Sequence, residues 1–224
     1  MSLRTRPLRP GDEAAIRRVF RATLALGHPA PFGPDAGGAL RPYERLCLGW
    51  YLDGGREAAC VLTGGNRVVG YALVCLDPAA FARWQRRAGL RLSAYVMPRL
   101  LARRYPEPID RFYRLRLRDG WALWRHQQNG IDDLPHAHMN ACDTMGGLPG
   151  RLLADHVDAV VAAAGFPAWF GEMNARAGRR AAALSRWGAE IVARQPNRTL
   201  TWLAGGPVER LTVVRRVPDR RAAA

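Results

Sequence analysis

Residues 3–9 read as a short strand, and Gly11-Asp12 then offers a helix start before Ile16, Val19, Phe20 and Leu24, whose spacing gathers them on one face. A second helix is expected over residues 42–52, bounded by Gly37-Gly38 and Gly54-Gly55. Residues 58–62 and 68–76 are rich in β-branched side chains. Between them Gly64-Gly65-Asn66 tolerates the positive φ of a tight turn, which predicts an antiparallel hairpin. After Asp77-Pro78 the pattern changes. Residues 78–133 read as helical, with Ile109, Phe112, Tyr113, Leu117, Trp121 and Trp124 spaced to share a helix face.

From residue 134 the pattern becomes a strand (136–142), a glycine loop (145–150) and a helix (151–164) with Leu153, Val157, Val160, Val161 and Ala164 on one stripe. Another strand is expected over 168–174, then an Ala/Arg helix ending at Trp187, then strands over 189–217 around the turn Ala204-Gly205-Gly206-Pro207. The alternation predicts an α/β (α+β) fold. With 224 residues, 48% of them hydrophobic, one domain over 1–224 with a helical insertion at 78–133 is favoured over two full domains.

The first ten residues are Arg-rich with no apolar stretch behind them, and the longest apolar run, 159–166, is far short of the ~20 residues a bilayer span needs. Cys47, Cys60, Cys75 and Cys142 form no C-x-x-C pair, which fits reduced thiols rather than a disulfide framework or structural zinc. A cytoplasmic protein without membrane attachment is expected. All 34 basic residues are arginine, against 19 acidic ones. Without lysine neither Schiff-base chemistry nor the phosphate-loop Lys is available, so pyridoxal enzymes and P-loop NTPases are excluded. The arginine excess suits nucleic acid, an acidic membrane or a phosphorylated cofactor, since guanidinium binds phosphate in each. No nucleic-acid reading motif accompanies it, which disfavours that partner.

A strand running into a glycine-rich turn that opens a helix is an anion site, because free backbone N–H groups and the helix dipole converge there. Residues 144–151, Thr-Met-Gly-Gly-Leu-Pro-Gly-Arg, have this layout. A dinucleotide fold would place its glycines after the first strand, where Arg9-Pro10-Gly11-Asp12 stands instead.

The order and wording of these segments resemble the GNAT superfamily of N-acetyltransferases. The resemblance lies in residues 6–16 (first strand and helix), 68–74 (third strand), 147–153 (pyrophosphate loop) and 184–192 (closing helix and sixth strand). Leu76-Asp77-Pro78-Ala79-Ala80-Phe81, Arg104-Tyr105-Pro106 and Pro135-His136-Ala137-His138 are similar to the bacterial subgroup related to the acetyltransferase-like domain of O-GlcNAc hydrolases, which has a helical insertion between strands three and four. The resemblance implies a mixed, mostly antiparallel sheet of about seven strands flanked by helices. It implies acetyl-CoA or another acyl-CoA bound between strands four and five, held by Ala141, Cys142, Asp143, Met145, Gly146, Gly147, Leu148, Gly150 and Arg151. It also implies a small-molecule primary amine that attacks the thioester directly, with a strand-four N–H polarising the carbonyl and a base taking the ammonium proton. Two positions depart from the pattern. Pro149 has no N–H to offer a phosphate, and Leu184 stands where the family keeps a Tyr acid, leaving Ser185 or solvent to protonate the CoA thiolate. The alternative reading is an acyl-CoA-binding or regulatory protein without turnover.

On a strand, His136, His138, Asn140 and Cys142 share one face. His138 is either a base near neutral pH or a histidine built into the sheet. A metal on His136 and His138 would need a third ligand, with only Asp132, Asp133 or Asp143 near in sequence, so none is expected. Glu172 and Asn174 point one way from the fifth strand, and Glu172 is a candidate proton acceptor, the alternative being an ion pair with arginine. Asp143 is a second candidate base or a turn cap. Trp84, Tyr95, Tyr105, Tyr113, Trp121 and Trp124 either wall an acceptor pocket or form core or a homodimer interface. Arg103, Arg104, Arg111, Arg114, Arg116 and Arg118 read as a solvated face. A cationic pocket would suit an acceptor carrying carboxylate or phosphate beside its amine.

Overall fold

The computed structural model describes residues 2–27, 30–32, 36–54, 56–125, 131, 133–142, 148–176, 178 and 181–218. The hairpin forms as its turn chemistry requires. β2 (Cys60–Gly64) and β3 (Arg67–Cys75) pair antiparallel across Gly65-Asn66, with Gly65 at φ +60°, which glycine adopts without a Cβ clash. β1 (Leu3–Pro7) pairs antiparallel with β2, and β4 (His136–Ala141) antiparallel with β3. β5 (Ala168–Arg176) runs parallel to β4. With β6 (Ala189–Pro196) and β7 (Val208–Arg216) the sheet has seven strands in the order β1-β2-β3-β4-β5-β7-β6.

α1 (Glu13–Thr23) buries Ile16, Val19 and Phe20, as its spacing predicts. Asp12 holds the N-cap position, but its carboxylate accepts from the Arg6 guanidinium (2.7 and 2.8 Å) and the Arg9 N–H (2.8 Å) rather than from the helix, and the Arg6 bond holds it below the usual carboxylate range. The second helix starts earlier than expected: α2 (Ala36–Asp53) runs through Gly37-Gly38 and contains Pro42. Leu40, Tyr43, Leu48 and Tyr51 are buried along it, and burying that face outweighs the local preference of Gly and Pro against helix.

Between β3 and β4 lie α3 (Pro78–Leu101) and α4 (Glu107–Arg125). Ile109, Phe112 and Tyr113 are buried and Leu117 partly so, but Trp121, placed by spacing on the same face, is 60% exposed. The Trp124 side chain lies outside the described residues. Buried Asp119 anchors α4, accepting from the N–H groups of Arg198 (3.2 Å) and Thr199 (3.0 Å) and the Thr199 hydroxyl (2.7 Å). Those residues open a short helix, α7 (Arg198–Leu203), where the strand pattern predicted none. Asn197 caps it by accepting from the Leu200 N–H at 3.0 Å.

On the opposite face, α5 (Leu148–Ala163) packs Leu153, Ala154, Val157 and Val161 against Cys60, Leu62, Ala72, Val74, Ala137 and Trp169. Ala164, expected on that stripe, falls past the helix end and is exposed. α6 (Ala181–Arg186) packs Leu184 against Ala175, Ala189, Leu211 and Val213. A buried ion pair ties α5 to β7. Asp158 Oδ2 meets Arg215 Nη2 at 2.7 Å, and Asp158 Oδ1 also accepts from Trp169 Nε1 at 2.8 Å. Arg215 further donates to the Trp187 carbonyl and lies 4.8 Å over the Trp187 ring. No helix among the described residues is long and apolar enough to cross a membrane.

Asp158→Ala would leave the Arg215 charge buried and unpaired. A loss of about 3–5 kcal/mol is expected from urea unfolding, and the double substitution Asp158→Leu with Arg215→Met should recover most of it.

Candidate functional site

β4 and β5 pair over only His136↔Phe170 and Ala137↔Gly171, with the Phe170 N–H also donating to Pro135 O at 2.9 Å. Gly171 permits this approach, since a Cβ there would stand 3.0 Å from the Ala137 carbonyl oxygen. Beyond these pairs β4 is bonded only to β3 and β5 only to β7. Antiparallel pairing alternates the residues that bond the neighbour. The Cys142 N–H donates to Val69 O at 2.9 Å, so the register commits the backbones of Asn140 and His138 to β3 and turns those of Ala137, Met139 and Ala141 towards β5. From Met139 onward those amides have no strand partner among the described residues.

Of the residues expected to hold phosphate, Asp143, Met145, Gly146 and Gly147 lie outside the described residues, as do Thr144 and Asp132. Leu148, Pro149 and Gly150, expected in the loop, form the first turn of α5, with Arg151 exposed beside them. First-turn N–H groups have no acceptor within a helix, so the amides of Leu148 and Gly150 are not committed to the α5 ladder. Pro149 sits where the helix needs no donor. α5 begins at Leu148, soon after β4 ends at Ala141 in the sequence, which puts the positive end of its dipole on the side where the two strands part.

The sheet face towards α1 and α2 carries the polar groups. His136 Nδ1 is hydrogen-bonded to the Tyr51 hydroxyl, and its ring packs 5.1 Å from Phe81 and 4.8 Å from Phe170. The His138 ring lies edge-on to Tyr71 (5.7 Å) and Phe20 (6.1 Å), with Nδ1 buried and unpartnered. Asn140 Nδ2 donates to the Tyr71 hydroxyl at 2.8 Å. Burial pushes both histidines down to about 4, so both are uncharged at neutral pH, which favours the in-sheet reading of His138 over that of a base working near pH 7.

Trp169 faces α5, so alternation turns Phe170, Glu172 and Asn174 to the histidine side. Asn174 Oδ1 accepts from Asn197 Nδ2 at 2.8 Å, which ties it to the α7 cap. The Glu172 side chain is 39% exposed, with Arg210 Nη1 3.5 Å from Oε1. Burial pushes its carboxyl up, yet the charged arginines beside it, Arg210 first and then Arg116, help to hold it below its ordinary value. Arg116 comes from α4, its guanidinium 4.7 Å over the Tyr43 ring and its Nε buried with no acceptor among the described residues.

Other expected residues are placed elsewhere. Ser185 is exposed on α6 beside Gly188, Ala189, Glu190 and Ile191, with no described contact to Glu172. Ala141 lies against Gly70, and Cys142 is half-buried against the α1/α2 core. Trp84 stacks with Phe81, Tyr105 with Tyr113, and the Tyr113 hydroxyl donates to Ala39 O, so these aromatics are core; Tyr95 and Trp121 are exposed. Arg103, Arg104, Arg111, Arg114 and Arg118 are exposed as expected, and Arg116 is the exception. Arg116 and Arg210 carried no signal that separated them from the other arginines. Only the alternation of β7 pointed to Arg210 once its pairing with β5 was known.

No protein-family model matches the sequence, and no curated protein matches it. Solved structures match the fold end to end. SsHAT superposes with a TM-score of 0.63 at 22% identity, covering 98% of this chain and 100% of that one. The Drosophila melanogaster polyamine N-acetyltransferase, which forms N-acetylagmatine, has a TM-score of 0.52 at 11% identity, with 96% and 100% covered. The yncA protein of Salmonella typhimurium, solved with its cofactor acetyl-CoA, has a TM-score of 0.50 at 14% identity, with 98% and 96% covered. The architecture is the GNAT fold.

The histidines make stability depend on pH. An unfolded chain protonates them near 6.5 and the folded chain only near about 4, so their contribution is complete above pH 6.5 and is lost as pH falls towards 4. His138→Leu also removes the unpartnered Nδ1. In thermal melts it should match the wild type at about pH 7.5 and lose less melting temperature on acidification to about pH 4.5; superimposable pH profiles would contradict this.

Proposed function

We propose that this chain is an acyl-CoA-dependent N-acyltransferase, most simply an acetyltransferase, that moves an acyl group to the primary amine of a small-molecule acceptor. The observation that carries this reading is the parting of β4 from β5 after Ala137 and Gly171, which leaves β4 amides facing a gap with Glu172 accessible beside it. In this reading the acyl-CoA lies along the gap, its diphosphate towards the Leu148 and Gly150 N–H groups and the Arg151 side chain. The Met139 N–H polarises the thioester carbonyl, and the ionised Glu172 takes a proton from the acceptor's ammonium group, directly or through water. The freed amine attacks the carbonyl carbon, the C–S bond breaks, the new amide nitrogen gives up its second proton to solvent, and the CoA thiolate leaves to be protonated by solvent or by Ser185. Within the fold we place the chain beside the bacterial enzymes related to the acetyltransferase-like domain of O-GlcNAc hydrolases, on the His136-Ala137-His138 strand and the helix pair between β3 and β4.

A second reading, a cofactor-binding protein without turnover, draws support from Leu184. It is buried among Ala175, Leu211 and Val213, so no hydroxyl stands there to serve as an acid. Acetyl-CoA titration and a thiol-release assay separate these outcomes. Binding in the micromolar range is expected, and absence of heat at about 1 mM cofactor would overturn the assignment. Glu172→Gln should lower kcat/KM by about 100-fold while leaving cofactor affinity intact, and an unchanged rate would remove Glu172 as the base.

A further inference from the structure

We infer that the acceptor is an amino acid or a similar zwitterion, its carboxylate bound by Arg116 and Arg210 while its ammonium group meets Glu172. This rests on the transferase reading above and names the class of molecule that site accepts. Arg116 comes from α4 and Arg210 from β7, elements distant in sequence, and the charges of both favour the ionised form of Glu172. Arg210 has only 11% of its side chain exposed and stands 3.5 Å from the Glu172 carboxylate. Arg116 is set in place from one turn away, because Asp119 on the same helix is bonded to Arg198 and Thr199. A guanidinium on a helix fastened in this way is pre-organised for a ligand.

The charges that face this space do not cancel. Asp119 is committed to the start of α7 and to Arg198 at 3.7 Å, and Glu44 to Arg17 and Arg21. Both histidines are neutral at physiological pH. Among the described residues Glu172 therefore stands alone against two arginines, a surplus of one positive charge. The Arg116 Nε–H is buried with no acceptor among the described residues, and a buried donor left unpaired is costly unless something arrives to accept its hydrogen bond. A carboxylate supplies one negative charge and two in-plane oxygens, which suit a guanidinium fork. The ammonium group of the same molecule finds its counter-charge in Glu172, the group to which the transferase reading assigns the proton.

The test is calorimetric titration of the full chain, with and without CoA, using α-amino acids, β-alanine and 4-aminobutyrate, each against its own amide, with phosphoethanolamine and agmatine alongside. At least one carboxylate should bind about 10-fold or more tightly than its amide. Arg116→Gln should abolish that difference, and Arg116→Lys, which keeps the charge and loses the fork, should retain part of it. Thermal melts check that both variants are folded. Amides or agmatine binding as well as every carboxylate, phosphoethanolamine binding best, or no carboxylate binding at all would overturn the proposal. Thiol release from acetyl-CoA is read separately. Carboxylate binding without any acyl transfer would sink the transferase reading and leave this subsite standing, whereas transfer only to amines without a carboxylate would do the reverse.

Discussion

Two strands that run side by side for two residues and then separate cannot be held together by their own ladder. The cohesion between β4 and β5 comes from behind, where α5 lays Leu153, Ala154, Val157 and Val161 across the seam against Ala137 of β4 and Trp169 of β5. Asp158 completes the clamp by bonding Trp169 and Arg215, so the half of the sheet containing β5 and β7 hangs from the same helix as the half containing β4. Apolar contact supplies the adhesion, and the buried ion pair sets the registry, since a charge left unmatched there would be strongly unfavourable. The front of the seam is thereby free to stay open.

That opening decides what the polar residues around it can do. His136, His138 and Asn140 are drawn into contacts with Tyr51, Tyr71, Phe20 and Phe81, which keeps the histidines neutral and makes them part of the wall. Glu172, on the strand across the seam, keeps an accessible carboxylate because its charged neighbours are arginines. The helix pair between β3 and β4 takes part through a polar fastening: Asp119 grips the start of α7, and Arg116, one turn away, is held over the Tyr43 ring. At 22% identity or less, the solved structures share this frame with the chain, and the side chains placed on it are its own.

Much of the frame was legible locally. The Gly65-Asn66 turn dictates its hairpin, because few other residues adopt a positive φ cheaply. The period-two rule put His136, His138 and Asn140 on one face and Glu172 with Asn174 on another strand's matching face, as the structure has them. The spacing of Leu153, Val157 and Val161 announced the buried stripe of α5. Where local rules failed, a distant partner had intervened. α2 continues through Gly37-Gly38 and Pro42 because its apolar face is buried, and α7 exists because Asp119 satisfies its first amides.

What the sequence by itself determined was therefore the set of chemistries on offer: strand and helix order, one sheet face rich in histidine and amide groups, and no lysine among 34 basic residues. What only the tertiary structure decided was which of those groups are spent and which are free. Pro149 lost its apparent conflict by falling in a helical first turn, Trp121 left the core for the surface, and Arg116 was singled out from a field of exposed arginines. Backbone preference is a property of neighbours along the chain. Desolvation and charge pairing depend on who stands across the fold, and no local pattern encodes that.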